Sequence, residues 1–323
     1  MKLRQLGELK IRELVVNTLK RADKSLFEMG LDDASAMKCE APVIVVNIDS
    51  FVESTDKPPC MEWDDAGRKA VIGALSDLVA KGAKPCYAVV SLCLPEEFEV
   101  EDLKLILKGF NIASEESGCK IVGGDINNSE DAIITVAALG FTEPDNLIPR
   151  SGTSPGDLVG VTGEFGWTYL GLKVAMGMLD LPEPYRQIAM GWVNRPRLHL
   201  KEGLILSRHK LAVSCIDSSD GLAASLYELS IASKVGFIVE RLPISKSLQE
   251  AAKISGISVE DAVFYGGEEY NLVFTVRPAA KKLLEEIFGR HGLKVYWIGK
   301  AVEDGGVWYR EEKLKYGWEH FKG

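Results

Sequence analysis

Histidine is scarce in this sequence, cysteines come singly and long apolar runs are missing. The 323 residues hold 4 histidines and 6 cysteines (Cys39, Cys60, Cys86, Cys93, Cys119 and Cys215) without one Cys-x-x-Cys pair. Neither a zinc site nor a disulfide framework is expected, and a reducing, cytoplasmic setting is. His199, His209, His291 and His320 lie outside the acidic motifs, which argues against a His-dependent triad. No apolar stretch approaches the roughly 20 residues of a membrane span, and the opening MKLRQLGELKIRE is too charged for a signal peptide. Neither a GxxxxGK(S/T) loop nor a strand–GxGxxG–helix unit occurs, so P-loop NTPases and dinucleotide folds are set aside. Positive charge is short as well. With 38 Lys plus Arg against 47 Asp plus Glu, the net charge of −9 excludes broad phosphate-driven nucleic-acid binding. Any anionic ligand would need local help, such as metal ions.

What is present is an ordinary globular composition, 46% hydrophobic and 26% charged, in a chain long enough for two domains. Helical spacing over 8–21 precedes β-rich runs at 34–39 and 43–49. A strong helix over 63–82, a strand at 87–94, a helix at about 101–116 and strands at 119–122 and 132–141 follow, with Gly123–Asp125 read as a turn. The run TEPDNLIPRSGTSPG concentrates turn formers and marks the interdomain linker, dividing the chain into 1–150 and 151–323. The second half repeats the alternation: strand 158–162, helices near 166–178, 184–193 and 198–208, strand 212–217, helix 221–233 and strand 235–240. Strand 270–276, helix 278–291, strand 294–299 and a short hairpin complete it. Alternating helix and strand predict an α/β class with mixed sheets.

Carboxylates beside apolar or glycine-rich runs are the main chemical signal: Asp33, Asp49, Asp77, Asp125, Asp217 and Asp220. Few have a basic neighbour, so if they converge they need divalent cations, and an oxygen-only donor set points to magnesium and to more than one ion. Dispersed surface caps are the alternative. Asp77 lies on a helix face of small residues (Ala70, Gly73, Ala74, Ala80), close to the helix C-terminus where a negative charge is unfavourable, and this favours function over structure. In Asp217–Ser218–Ser219–Asp220–Gly221 a strand meets a helix, where hydroxyls and backbone N–H groups can face an anion, or simply cap the helix. Paired glycines in Gly123–Asp125 and Gly266–Glu269 permit backbone approach to a ligand or a tight turn. Arg150 reads equally as a phosphate clamp and as a surface arginine. Trp318 is an aromatic anchor near the C-terminus.

The order LDDAS, NID, LSDLVAKGAKP, VGGD, RSGTSPGD, VTG, IDSSDGL, YGGEEYNLVFT and GWEHF resembles the thiamine-monophosphate kinases, their archaeal branch above all. These belong with aminoimidazole ribonucleotide synthase, selenophosphate synthetase and a hydrogenase maturation protein. The resemblance implies an N-terminal domain (1–150) that binds ATP and Mg2+ and dimerises, and a C-terminal domain (151–323) that completes the active site of a homodimer. It implies ATP-dependent phosphorylation of thiamine monophosphate, with Asp33, Asn47, Ile48, Asp49, Asp77, Asp125, Asp217 and Asp220 around the Mg2+ ions. Asp49, Asp77 and Asp217 form the expected catalytic set. Gly124, Asp125, Arg150 and Ser219 resemble the nucleotide contacts, and Asp56, Glu268 and Trp318 fall at the substrate. Departures from the bacterial pattern are Leu31 before Asp32-Asp33, Asn47-Ile48 in place of a hydroxyl pair, Asp56 in place of a histidine, and GGEEYNL for GGEDYEL. Ile48 can offer only its carbonyl. Two other readings are a different ATP-dependent member of the same superfamily, for instance one acting on a ribonucleotide amide, and a non-catalytic nucleotide-binding protein.

Overall fold

Strict in–out alternation builds the first sheet in the computed structural model, which describes residues 35–37 and 43–317. The helix expected over 8–21, Asp33 and Trp318 lie outside the described residues. In chain order the first half contains β1 (Ser35–Met37), β2 (Val43–Val52), the short α1 (Glu53–Asp56), α2 (Trp63–Ala80), β3 (Lys84–Leu94), α3 (Val100–Ser117), β4 (Lys120–Asn128) and β5 (Ile133–Thr142). Every second residue of β5 is buried, as expected of a sheet with one face against helices. The strand order is β1-β2-β5-β3-β4, antiparallel except for the parallel β3–β4 pair. Helix α2 is buried nearly all round, its Asp64, Asp65, Arg68 and Lys69 included, with Ala66, Ile72, Leu75 and Leu78 fully buried, so it packs as an interior element rather than an amphipathic surface helix.

The second half contains β6 (Leu158–Val161), α4 (Trp167–Ala175), α5 (Tyr185–Asn194), α6 (Leu200–Arg208), β7 (Ser214–Asp217), α7 (Leu222–Ser233), β8 (Gly236–Val239), α8 (Lys246–Ser255), α9 (Val259–Tyr265), β9 (Leu272–Val276), α10 (Lys281–Arg290), β10 (Tyr296–Val302), β11 (Gly306–Tyr309) and β12 (Glu312–Lys313). Seven strands form a mixed sheet in the order β12-β11-β8-β10-β6-β9-β7. β9 is buried at all five positions and needs cover on both faces, which Phe237 and Leu226 on one side and Phe288 and Leu206 on the other provide within their clusters. The α/β class with mixed sheets, expected from the sequence, is what forms.

Two sequence expectations change here. Gly123–Asp125 is not a turn: β4 runs straight through it, because pairing with β3 (Val89↔Gly123, Val90↔Gly124, Ser91↔Asp125) supplies ladder partners for that backbone. The sequence reading also left 241–269 without helices, whereas α8 and α9 form there, each with a serine N-cap: Ser245 accepts from Leu248 N and Ser258 from Asp261 N.

Helix α2 is also the seam between the halves. Lys81, just past its end, donates to Cys215 O at 2.7 Å, and Arg68 donates to Pro196 O at 2.9 Å. Arg195 pairs with Asp65 at 2.5 Å. One face of α2 supports the first sheet while the helix also meets the loops of the second, which brings chemistry from both halves to one place.

Candidate active site

β2 and α2 set the first wall. Asn47 is buried and donates through Nδ2 to Ala74 O and to the Asp77 carboxylate. Asp49, two residues on and therefore on the same face of β2, approaches the same helix one turn earlier. A Cβ added at Gly73 would stand 3.1 Å from Asp49 Oδ2 and 3.3 Å from the Tyr270 hydroxyl, so this glycine makes room for two functional groups at once. From the other half, Asp217 ends β7 and is buried.

Electrostatics tie the three carboxylates together. Burial, followed by the nearby charges of Asp217 and Asp49, holds the Asp77 carboxyl well above the usual range. Asp77 keeps partial solvent access but is enclosed deeply enough for desolvation to dominate. Asp217 is raised too, chiefly by burial, and is opposed by a hydrogen bond from Ser76, by the charges of Arg150 and Lys81, and by its hydrogen bond with Asp77. The two carboxyls therefore titrate as a pair, both held above the ordinary carboxylate range by burial. Acidic side chains in this relation gain from a divalent cation. Among the described residues, no three His, Cys, Asp or Glu side chains are spaced to enclose a metal without further ligands. An ion here would draw its remaining ligands from water or substrate, as Mg2+ commonly does.

Two loops form the second wall. Residues 217–221 and 266–270 are bonded backbone to backbone: Glu268 N to Ser219 O at 2.6 Å, Tyr270 N to Ser218 O at 2.9 Å and Ser218 N to Asn271 O at 2.9 Å. A Cβ at Gly221 would fall 2.0 Å from Gly266 O, so the acid–serine–serine–acid motif and the Gly-Gly-Glu-Glu motif fit only because glycines line the contact. Glu268 (φ 65°) and Tyr270 (φ 53°) both occupy the left-handed region, a cost of about 1 kcal/mol or more each that the surrounding bonds sustain. The result is three consecutive side chains sent to different places. Glu268 pairs with Lys69 of α2 at 2.7 Å, and the Tyr270 hydroxyl meets Gly73. Glu269 is fully buried, accepts from Gly166 N and Thr168 Oγ1, and is pushed up to about 8 mainly by desolvation. The Tyr270 phenol is held well above its usual value, first by burial and then by Glu268 and Asp49.

The remaining predicted residues are spread more widely. Arg150 is no surface arginine: it is buried and pairs with Glu228 at 3.1 Å, and Glu228 also accepts from the Tyr316 hydroxyl at 2.5 Å. A Cβ at Gly317, the residue before Trp318, would lie 4.0 Å from Asp220 O, so the C-terminal segment passes the 217–221 loop. Ser219 is exposed and Asp220 half-buried in that loop. The Asp56 carboxylate accepts from Val52 N at 2.7 Å and so stabilises the β2–α1 turn. The Ile48 side chain is 67% exposed on the face of β2 opposite Asn47 and Asp49. Asp125 stands apart. Register links Asp49 to Val136, Val90 and Gly124 across the sheet, whereas Asp125 aligns with Ser91, Thr135 and Ser50. By pleat, then, Gly124 shares the Asp49 row while Asp125 falls on the other face, three strands or about 14 Å away. Its carboxylate accepts from Asn127 Nδ2 at 2.6 Å.

Lys69, Lys81, Gly73, Glu269 and Tyr270 were missed as site residues from the sequence. One signal was available: lysine, glycine and aspartate at 69, 73 and 77 recur every four residues along one helix. A cavity of about 630 Å³ lies beyond the second wall, lined by Glu164, Trp192, Arg197, His199 and Tyr296 among others. His199 on its wall hydrogen-bonds Asn271, the residue after Tyr270, at 2.8 Å.

Comparison with known proteins agrees with this geometry. Residues 31–142 match the family AIR synthase related protein, N-terminal domain, and residues 154–309 match AIR synthase related protein, C-terminal domain. The thiamine-monophosphate kinase of Pyrococcus abyssi is 36% identical over 302 residues, covering 90% of each chain. That of Nitrosopumilus maritimus is 32% identical over 284 residues, 86% of this chain and 89% of its own. Among solved structures, AaThiL complexed with AMPPCP and TMP superposes with a TM-score of 0.88 at 28% identity, covering 99% of both chains.

Proposed function

The chain belongs to the thiamine-monophosphate kinase family, a pairing of AIR synthase related N- and C-terminal domains, and from that membership we propose that it transfers the γ-phosphoryl of ATP directly onto the phosphate of thiamine monophosphate. The observation that carries this reading is the convergence of Asp77, held by Asn47, with Asp217 from the other half and with Asp49, close enough for both neighbours' charges to raise the Asp77 carboxyl. Buried acids crowded together, with Asp77 raised by the charges of both neighbours, make a poor anion site alone and a good one with cations. Their hard oxygen donors suit Mg2+, which Asp49, Asp77 and Asp217 would hold, joined by Asp33, Asp220, the Asn47 side chain and the Ile48 carbonyl, whereas Asp125, expected in this set from the resemblance, sits on the opposite face of the sheet, away from Asp49. When bound, such ions offset the repulsion between phosphate groups.

The protein's own part is placement. Ser219, Gly124 and Arg150 serve the nucleotide, while Glu268, Asp56 and Trp318 serve the thiamine side. The acceptor is a phosphate monoester with a second pKa near 6, so at neutral pH it attacks as a dianion and requires no general base. An acceptor oxygen forms the new bond to γ-phosphorus as the bond to the bridging oxygen breaks, ADP leaves, and no proton changes hands. We place the domain division at 150, between the last strand of the first sheet and the first strand of the second. A homodimer would cover the helix-free face of the first sheet, where Ile48, Tyr87 and Val89 are exposed.

Incubation with ATP, Mg2+ and thiamine monophosphate, followed by chromatography of the thiamine products, tests the activity. Thiamine diphosphate and ADP in equal amounts are expected. ADP released without thiamine diphosphate would refute direct transfer.

A further inference from the structure

We propose that Lys69 grips the phosphate of the acceptor, a role that rests on the reading above and extends it to a residue outside the family-matched set. Lys69 lies one turn before Gly73 and two before Asp77 on α2, with its side chain 1% exposed. Its ammonium stands 2.7 Å from Glu268 Oε1, yet makes no well-directed hydrogen bond to any protein atom. An ammonium carries three N–H donors, and one ion pair leaves the others without a protein acceptor. Buried donors in that condition cost about 1 to 3 kcal/mol, more when charged, so their retention calls for a partner.

Position identifies the partner. Lys69, Gly73 and Asp77 succeed one another along the helix at about 6 Å per step, so some 12 Å of rise separate the backbone positions of Lys69 and Asp77. Asp77 and Asp217 occupy one end of this line, Asp49 meets its middle at Gly73, and Lys69 and Glu268 occupy the other end. Cations held by the acids would serve the phosphates of ATP. The ammonium is then left for the second polyanion, whose organic portion falls beside Glu268. Lys69 neutralises part of the acceptor's charge and turns one of its oxygens toward the donor, while Glu268 keeps the ammonium in place. The covalent step is unchanged: the acceptor oxygen bonds to γ-phosphorus, ADP departs with the bridging oxygen, and the lysine remains protonated.

A ligand pair separates this role from simple support of the loop. Calorimetric titration of Lys69→Met with thiamine monophosphate is expected to show affinity about 10- to 100-fold below wild type, the value of one charge-assisted hydrogen bond. Unphosphorylated thiamine should bind both proteins within about twofold. In steady-state assays KM for thiamine monophosphate rises while KM for ATP stays. Because Lys69→Met leaves Glu268 without its partner, thermal melting is measured alongside; should the variant unfold, Lys69→Met/Glu268→Gln is compared with Glu268→Gln in the same titrations. Equal losses for the two ligands, or none for the phosphorylated one, overturn the lysine's role while leaving the kinase reading intact. Wild-type protein that fails to bind thiamine monophosphate or to make thiamine diphosphate overturns both.

Discussion

At the scale of single residues, the account rests on side chains held in uncomfortable states. Asp49→Asn and Asp217→Asn keep shape and remove charge; each is expected to lower kcat by a factor of about 100 or more while the melting temperature holds or rises, since each removes one of the acidic charges beside Asp77. Activity and melting measured on the same preparation check this, and turnover at the wild-type rate would remove these acids from the reaction. Glu269 gives a different signature. Its pKa is raised from 4.5 to about 8 by burial. Below 4.5 folded and unfolded chains both hold the proton; between there and about 8 only the folded chain does. Stability is therefore fully present at the acid end of this window and is lost as pH rises through it. Glu269→Gln should flatten that slope in melting curves taken from pH 5 to 9 and raise the melting temperature at pH 8. Unaltered slopes would mean that the buried carboxyl is ionised throughout. Of these residues, Asp77 and Asp217 were legible in the sequence because an acid against a small-residue stripe and an acid–serine–serine–acid turn have few structural uses. Glu269 was not, since nothing in Gly-Gly-Glu-Glu tells which glutamate turns inward. The left-handed backbone at Glu268 and Tyr270 decides that.

At the scale of elements, α2 does most to organise the site, because one helix face presents Lys69, Gly73 and Asp77 to partners from β2 and from the 266–270 loop. Gly73→Ala separates the two demands on that helix. Alanine favours an interior helical position over glycine by about 1 kcal/mol, but its Cβ would crowd Asp49 Oδ2 at 3.1 Å and the Tyr270 hydroxyl at 3.3 Å. A melting temperature near wild type with activity about 10-fold lower is expected; full activity would show that the close approach carries no function. The sequence made the existence of α2 plain, from its unbroken apolar pattern and the glycine and proline beyond its end. It misread β4 as a strand and a turn, because Gly-Gly-Asp suits a turn locally, and only the long-range pairing with β3 overrides that preference. α8 and α9 escaped although the serine caps at 245 and 258 were there to be read.

At the scale of the whole molecule, the site exists only where two sheets and the helix between them meet, so chemistry and domain packing are linked. Asp49 and Asp77 come from the first half, Asp217 and Glu268 from the second, and Lys69–Glu268, Lys81–Cys215 O and Arg195–Asp65 hold the seam. The exposed row of Ile48 and Val89, aligned through Ala137, is the surface expected to dimerise. Val89→Asp should convert the species seen by light scattering from dimer to monomer, and a wild-type monomer would dispose of the idea. This level was the least legible in the sequence. Motif order named candidate residues, but not that Asp125 would sit on the opposite face from Asp49. The decisive measurement is anomalous diffraction from crystals grown with Mn2+, a non-hydrolysable ATP analogue and thiamine monophosphate. Peaks bonded to oxygens of Asp49, Asp77 and Asp217 and to the nucleotide's phosphates, with the acceptor phosphate in line, are expected; metal bound elsewhere, with those three carboxylates unliganded, would contradict the account.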